Sequence, residues 1–348
     1  MCSRALCAKK IIVMSFRIDE SARVAVIGYG SWATALVKML LENEPVVGWH
    51  IRNGEVAGHI LEHGNNPKYL SGVHFDTGKL HISGDVNEIV SWADIVVLAT
   101  PSAFLGKTLE PLTVSLEDKF VLSAIKGIIP DSYVTVAEYV NEHYGLPFDR
   151  IGIITGPCHA EEVALERLSY LNLVCKSEDN ARMLAGKFST PYINTNTATD
   201  IYGTEYAAVL KNIYAIAVGI CHGLGYGDNF QSVLIANAAK EMNHFLESTY
   251  PSERDTNTSA YLGDLLVTSY SQFSRNRSFG MMIGKGYSVR SAQIEMNMVA
   301  EGYYASYCIE QINRSRKVVM PIADTVYRIL YMKRSAAAEI KTLTGQLR

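Results

Sequence analysis

Near the N-terminus, Val24-Ala-Val-Ile-Gly-Tyr-Gly-Ser-Trp-Ala33 constrains what the chain can fold into. Four residues of strand character run into Gly28-x-Gly30-x-x-Ala33, and an Ala/Leu/Met pattern at helical spacing follows through Leu41. Glycine pairs alone occur by chance. Set between a strand and a helix, this one opens a βαβ unit of the kind that binds dinucleotides. Gly28 permits the tight turn, Gly30 leaves bare backbone for a pyrophosphate, and Ala33 lets the helix lie close to the strand. The helix N-terminus offers free N–H groups and partial positive charge to phosphates.

At 348 residues the chain exceeds what one core usually supports, so two domains are expected. Hydrophobic residues make up 48%, charged residues 19%, and the net charge is −3. That composition fits an enzyme or small-molecule binding protein and gives no basic surplus for nucleic acid or anionic membranes. Nothing approaches an apolar run long enough for a transmembrane helix. The six cysteines (Cys2, Cys7, Cys158, Cys175, Cys221 and Cys308) are scattered without a C-x-x-C pair, which fits a reducing cytoplasm rather than a disulfide framework or a zinc site. No metal has a ligand set in the sequence. Residues 1–20 read as an N-terminal extension outside the fold, with too short an apolar run for a signal peptide.

From Arg23 to about Asn196, short Val/Ile/Leu-rich strands (24–28, 46–50, 95–100, 120–124, 151–155, 171–175) alternate with helical stretches (31–43, 54–63, 104–113, 132–143, 179–188). This is the pattern of a doubly wound parallel sheet, an α/β Rossmann domain over 21–198. Thr100-Pro101-Ser102 and Thr155-Gly156-Pro157 break the chain at strand C-termini, the edge at which such sheets bind ligands. After Thr197 strand character disappears and helices are expected at 203–222, 228–247, 258–270, 279–285, 289–310 and 319–331, giving a mainly α-helical domain over 199–348. The cleft between the domains is the expected site, and small-residue helical faces leave room for a homodimer.

Several residues stand out against that frame. The second strand ends Gly48-Trp49-His50-Ile51-Arg52-Asn53 without the acid that usually binds the ribose hydroxyls of NAD. Arg52 can accept a 2′-phosphate, stack on adenine, or face solvent. Lys126 closes a buried strand at the ligand-binding edge. Lys211 lies in Tyr206-Ala-Ala-Val-Leu-Lys-Asn-Ile-Tyr-Ala-Ile-Ala-Val-Gly219, so apolar that a lysine there either reaches to water or is desolvated into a general acid/base. Asn212 beside it reads equally as a structural hydrogen-bonder or a substrate contact. Asp264 follows Gly263 as an isolated carboxylate. Ser274-Arg275-Asn276-Arg277 gathers two guanidinium groups and two neutral donors, which reads as an anion site or as a solvated charged turn.

Together these segments resemble the bacterial-type NAD(P)-dependent glycerol-3-phosphate dehydrogenases. The matching pieces run in order: Gly28-Tyr-Gly-Ser-Trp-Ala-Thr-Ala-Leu36, Ala99-Thr-Pro-Ser102, Ile125-Lys-Gly127, Gly156-Pro-Cys-His-Ala160, Leu210-Lys-Asn-Ile213, Gly263-Asp-Leu265, Ser274-Arg-Asn-Arg-Ser-Phe-Gly280 and Glu301-Gly302. They cover about residues 23–335. The resemblance implies a Rossmann domain followed by a helical domain of the 6-phosphogluconate-dehydrogenase-like type, and NAD or NADP as cofactor. It implies that Gly28, Gly30, Ser31, Trp32, Arg52, Lys126, Ala160, Arg275, Val299 and Glu301 meet the cofactor. Lys126, Gly156, Cys158, Lys211, Asp264, Ser274, Arg275 and Asn276 would meet the substrate, with Lys211 as proton donor and acceptor. The implied reaction interconverts dihydroxyacetone phosphate and sn-glycerol 3-phosphate for phospholipid synthesis. Three departures stand: Ala33 replaces the third glycine, Cys158 stands where the family usually has Ser or Thr, and the cationic residue after the second strand aligns at either Ile51 or Arg52. The competing readings are a two-domain hydroxy-acid or sugar-acid dehydrogenase and a silent dinucleotide sensor.

Overall fold

The computed structural model describes residues 16–296 and 299–348. Strands β1 (Val24–Ile27), β2 (Val47–His50), β3 (Leu80–Ser83), β4 (Ile95–Leu98), β5 (Phe120–Ser123), β8 (Ile151–Thr155), β9 (Ser169–Cys175) and β10 (Ile193–Ala198) form one sheet. Strands β6 (Ile128–Ile129) and β7 (Val134–Thr135) pair separately as a short hairpin. The spatial order β10-β9-β8-β5-β4-β1-β2-β3 places β1 and β4 side by side, with the chain running outward in both directions from them. Strands β1, β2, β4, β5 and β8 are buried throughout, as their near-continuous apolar sequences require.

Helices α1 (Ser31–Leu40), α2 (Gly54–His63), α3 (Val86–Trp92), α4 (Leu105–Leu109), α5 (Val136–Tyr144), α6 (Ala160–Ala164) and α7 (Glu178–Phe188) connect these strands. Their starts follow the local chemistry. The Asn53 side chain accepts from Val56 N, and Thr135 and Glu138 form a reciprocal capping box on α5. Gly64 and Gly145, both at positive φ, end α2 and α5.

The expected all-parallel sheet needs one correction. Strand β9 runs antiparallel to β8, and β10 then runs parallel to β9. The link from β8 to β9 runs from Gly156 to Leu168 and holds the short helix α6, and the chain returns antiparallel beside β8. Strands β3 and β10 and helix α3 fall outside the expected elements. Both strands are sheet edges with polar, part-exposed sequences (LHIS and INTNTA), so neither carries the apolar run of a central strand. Of the N-terminal extension expected over 1–20, residues 1–15 lie outside the described residues. Residues 16–20 do not behave as an extension: Ile18 is buried, Phe16 stacks on Phe120, and Asn180 pairs with the backbone of both Phe16 and Ile18.

Among the described residues beyond Ala198 every element is helical: α8 (Ile201–Gly223), α9 (Asp228–Thr249), a π-helical turn (Ser259–Gly263), α10 (Asp264–Tyr270), α11 (Arg275–Gly284), α12 (Val289–Glu295), α13 (Glu301–Arg316), α14 (Pro321–Leu330) and α15 (Ala336–Thr344). The single helix expected over 289–310 is two, α12 and α13. Helix α8 is buried along nearly its whole length and forms the axis of this half, which explains its apolar sequence on all sides. Glycines let α11 lie against it. A Cβ on Gly219 would stand 2.1 Å from the Arg277 carbonyl oxygen, and one on Gly280 would stand 2.1 Å from that of Ile216. This close crossing brings the N-terminus of α11 beside the middle of α8. No described helix is long and apolar enough to cross a membrane.

Candidate active site

The C-terminal edge of β1, β4, β5 and β8 faces α8, α10 and α11 across a cleft with a cavity volume of about 490 Å³. At one end lies the glycine turn. Gly28 has φ +121°, and a Cβ there would meet the Ala99 carbonyl oxygen at 2.6 Å, so glycine is required. Gly30 has open space where a Cβ would stand and leads into α1, whose first turn carries no acid and no side-chain cap. The Trp32 indole N–H is buried without a partner. Free helix N–H groups, a bare backbone cradle and an orphaned donor fit a dinucleotide pyrophosphate. Tyr29, His50, Arg52 and Tyr69 also line the cleft, with no carboxylate among these four.

At the other end a buried carboxylate lies between two lysines. Lys211 donates to Asp264 Oδ1 at 2.5 Å and to Thr268 Oγ1 at 2.9 Å. Lys126 donates to Asp264 Oδ2 at 3.1 Å and to the Gly156 carbonyl at 2.7 Å. Burial pulls the Lys211 ammonium down to about 7, with Lys126 adding to the effect and Asp264 opposing it. Burial raises the Asp264 carboxyl, but the two lysines outweigh it and hold the group below the usual carboxylate range. The result is an ionised carboxylate holding an amine that exchanges its proton near neutral pH.

Ser274 caps α11 through its side chain, which accepts from Arg277 N, and this sets Arg275 and Asn276 in the first turn. Arg275 reaches across the cleft to hydrogen-bond the Ser31 hydroxyl at the start of α1, with Glu161 at 3.9 Å. This guanidinium lines the same cleft as the glycine turn and the lysine pair. The Asn276 amide donates to Asn212 Oδ1 and its oxygen accepts from Gly302 N, each at 2.9 Å. Asn212 in turn donates to the Lys126 carbonyl at 2.8 Å.

Of the residues singled out from the sequence, Gly28, Gly30, Ser31, Trp32, Arg52, Lys126, Cys158, Ala160, Lys211, Asp264, Ser274, Arg275, Asn276, Val299 and Glu301 all line this cleft. Gly156 lies behind the wall and acts through its carbonyl on Lys126. At φ +116° it packs so closely on Asn172 that a Cβ would stand 2.6 Å from the Asn172 amide nitrogen. The Cys158 thiol donates to the Tyr170 carbonyl at 3.1 Å, and burial pushes it up to about 12, so it is an inert thiol rather than a nucleophile. Thr268 and His159 were not anticipated. Thr268 follows Asp264 by one helical turn, and that i, i+4 polar pair in an otherwise apolar stretch was the available signal. His159 is kept neutral, its imidazole lowered to about 4 by burial and by Lys211 and Lys126.

Comparison with known proteins agrees with this geometry. Residues 23–181 match the family model for the N-terminus of NAD-dependent glycerol-3-phosphate dehydrogenase, and residues 200–341 match the model for its C-terminus. A protein from Chlorobium chlorochromatii named glycerol-3-phosphate dehydrogenase (NAD(P)+) is 34% identical over 93% of this chain and 97% of its own length. A protein of the same name from Limosilactobacillus reuteri is 32% identical over 93% and 96%. Among solved structures, glycerol-3-phosphate dehydrogenase from Coxiella burnetii superposes with a TM-score of 0.86 at 24% identity, covering 94% of this chain and 99% of that one. With both halves matched in order, and relatives aligned over nearly their full length, the chain belongs to the NAD-dependent glycerol-3-phosphate dehydrogenase family.

Proposed function

We propose that this chain is an NAD(P)-dependent sn-glycerol-3-phosphate dehydrogenase, interconverting dihydroxyacetone phosphate and sn-glycerol 3-phosphate. The observation that carries this reading is the Lys126–Asp264–Lys211 arrangement in one cleft with Arg275 and the glycine turn. Gly28, Gly30, Ser31 and Trp32 would hold the dinucleotide, whose reduced nicotinamide would supply the hydride for C2 of the substrate. Lys211 gives a proton to the oxygen on C2 as negative charge develops there, and takes it back in the reverse direction. Asp264 and Thr268 hold that amine in place, and the positive charge of Lys126 steadies the same oxygen. Arg275, with Ser274 and Asn276 at the start of α11, holds the substrate phosphate, so that binding energy remote from C2 orients the reacting carbon.

Cys158 replaces a hydroxyl contact to substrate with a thiol turned to the Tyr170 carbonyl. Val299 and Glu301 close the nicotinamide side, and Gly156 serves through Lys126. Cytoplasmic location, a homodimer, and supply of glycerol 3-phosphate for phospholipid synthesis belong to the same proposal. The test is oxidation of NADH and of NADPH, run in parallel, with dihydroxyacetone phosphate. Turnover with either dinucleotide supports the reading. No turnover by protein that binds the dinucleotide removes it and points to another hydroxy-acid substrate or a silent sensor.

A further inference from the structure

Glu301 lines the cleft, yet both of its carboxylate oxygens already have partners. Oε1 accepts from Ser102 N at 3.0 Å and Oε2 from Ser102 Oγ at 2.5 Å, joining the start of α13 to the loop after β4 across 199 residues of chain. The next loop along the sheet closes on the same atoms. A Cβ on Gly127 would stand 2.3 Å from Glu301 Oε2 and 2.6 Å from Ser102 Oγ, so a side chain there would displace the pair. From Lys126 the contacts continue through buried amides: Asn212 to the Lys126 carbonyl, Asn276 to Asn212, and Gly302 N to Asn276. Gly302 is bonded to Glu301, and the circuit is closed. It takes in five segments of chain, joined by hydrogen bonds and by the close packing of Gly127.

Lys126 has a flexible stem, and its ammonium is held at the tip by Gly156 and Asp264. Its backbone is held by the circuit. We propose that Ser102 and Glu301 are positioning residues that act through the Gly127–Lys126 peptide, fixing Lys126 between the two halves of the cleft. This rests on the reading of the cleft given under Proposed function, and it gives Glu301 a task other than direct contact with the cofactor.

Two measurements on the full chain test it. Hydrogen exchange of the dinucleotide-free protein is compared for wild type, Ser102→Ala and Glu301→Gln, with thermal melting to verify folding. Peptides over 124–129 are expected to exchange about tenfold faster in both variants, with those over 24–40 unchanged. In steady-state assays, Ser102→Ala is expected to lower kcat/KM about tenfold in the wild-type background and less than about twofold in a Lys126→Ala background, because the two act in series. Unchanged exchange at 124–129, or equal losses in the two backgrounds, overturns the proposal. If the wild type fails to turn over dihydroxyacetone phosphate, the functional reading falls, while the exchange measurement still decides the circuit.

Discussion

Lys211 Nζ lies 2.5 Å from Asp264 Oδ1, and both side chains are shielded from water. A lysine and a carboxylate buried together stabilise each other only while both are present, and removing one leaves a stranded charge that costs about 3–5 kcal/mol. Here the carboxylate has a second cation in Lys126, so it stays ionised when Lys211 gives up its proton.

Lys211→Ala is expected to lower kcat for dihydroxyacetone phosphate reduction by roughly 10²–10⁴-fold, with dinucleotide affinity little changed. Lys211→Arg should not restore it, because a guanidinium does not release its proton near neutral pH. Steady-state kinetics alongside dinucleotide titration check this. Full activity in the alanine variant removes Lys211 from the mechanism.

The pH profile follows from the lowered Lys211 value of about 7. Reduction needs the protonated amine, so its rate should fall as pH rises through that value. Oxidation needs the free amine and should rise over the same interval. Initial rates in both directions across the range test the sign. A reduction rate that climbs with pH is incompatible with Lys211 as the donor.

Arg275→Ala should raise KM for dihydroxyacetone phosphate roughly 10–100-fold, the equivalent of one or two hydrogen bonds to a charged group. Arg275→Lys should recover only part of this, since a lysine cannot present the paired donors of a guanidinium. An unchanged KM in Arg275→Ala moves the phosphate elsewhere in the cleft.

Arg52 lines the cleft with Tyr29, His50 and Tyr69, and none of these four is a carboxylate of the kind that binds ribose hydroxyls. Arg52→Ala is expected to weaken NADPH binding about tenfold and NADH binding less than about twofold. Titration of the two dinucleotides separates this from simple stacking on adenine, which would weaken both equally.

Gly280→Ala would force a Cβ to within 2.1 Å of the Ile216 carbonyl oxygen, so α11 must move off α8. A loss of about 3 kcal/mol in chemical denaturation is expected, together with a raised KM, because α11 carries Arg275 and Asn276. A fully stable, fully active variant shows that the helix crossing is not what sets the substrate end.

The glycine turn and the alternation of strand and helix were legible in the sequence because they are local. Val24 to Ala33 encodes strand, turn and helix within ten neighbouring residues, and buried central strands announce themselves by apolar runs. The two edge strands did not, since half-exposed backbone accepts the polar sequence Ile193-Asn-Thr-Asn-Thr-Ala198. The reversal of β9 also lay beyond the sequence pattern, because a strand buried on both faces has the same apolar run whichever way it runs.

By itself the sequence determined which residues could do chemistry. Lys211 was conspicuous as a charge on an apolar helix, and Arg275 as part of a polar island. Only the tertiary structure decided what each one touches. Lys211 and Asp264 are 53 residues apart, and Ser102 and Glu301 are 199 apart. Their pairing depends on α10 packing against α8 and on the loop after β4 meeting the start of α13. Desolvation and charge pairing act through space, so the proton affinity of Lys211 is a property of the folded cleft rather than of the helix that carries it.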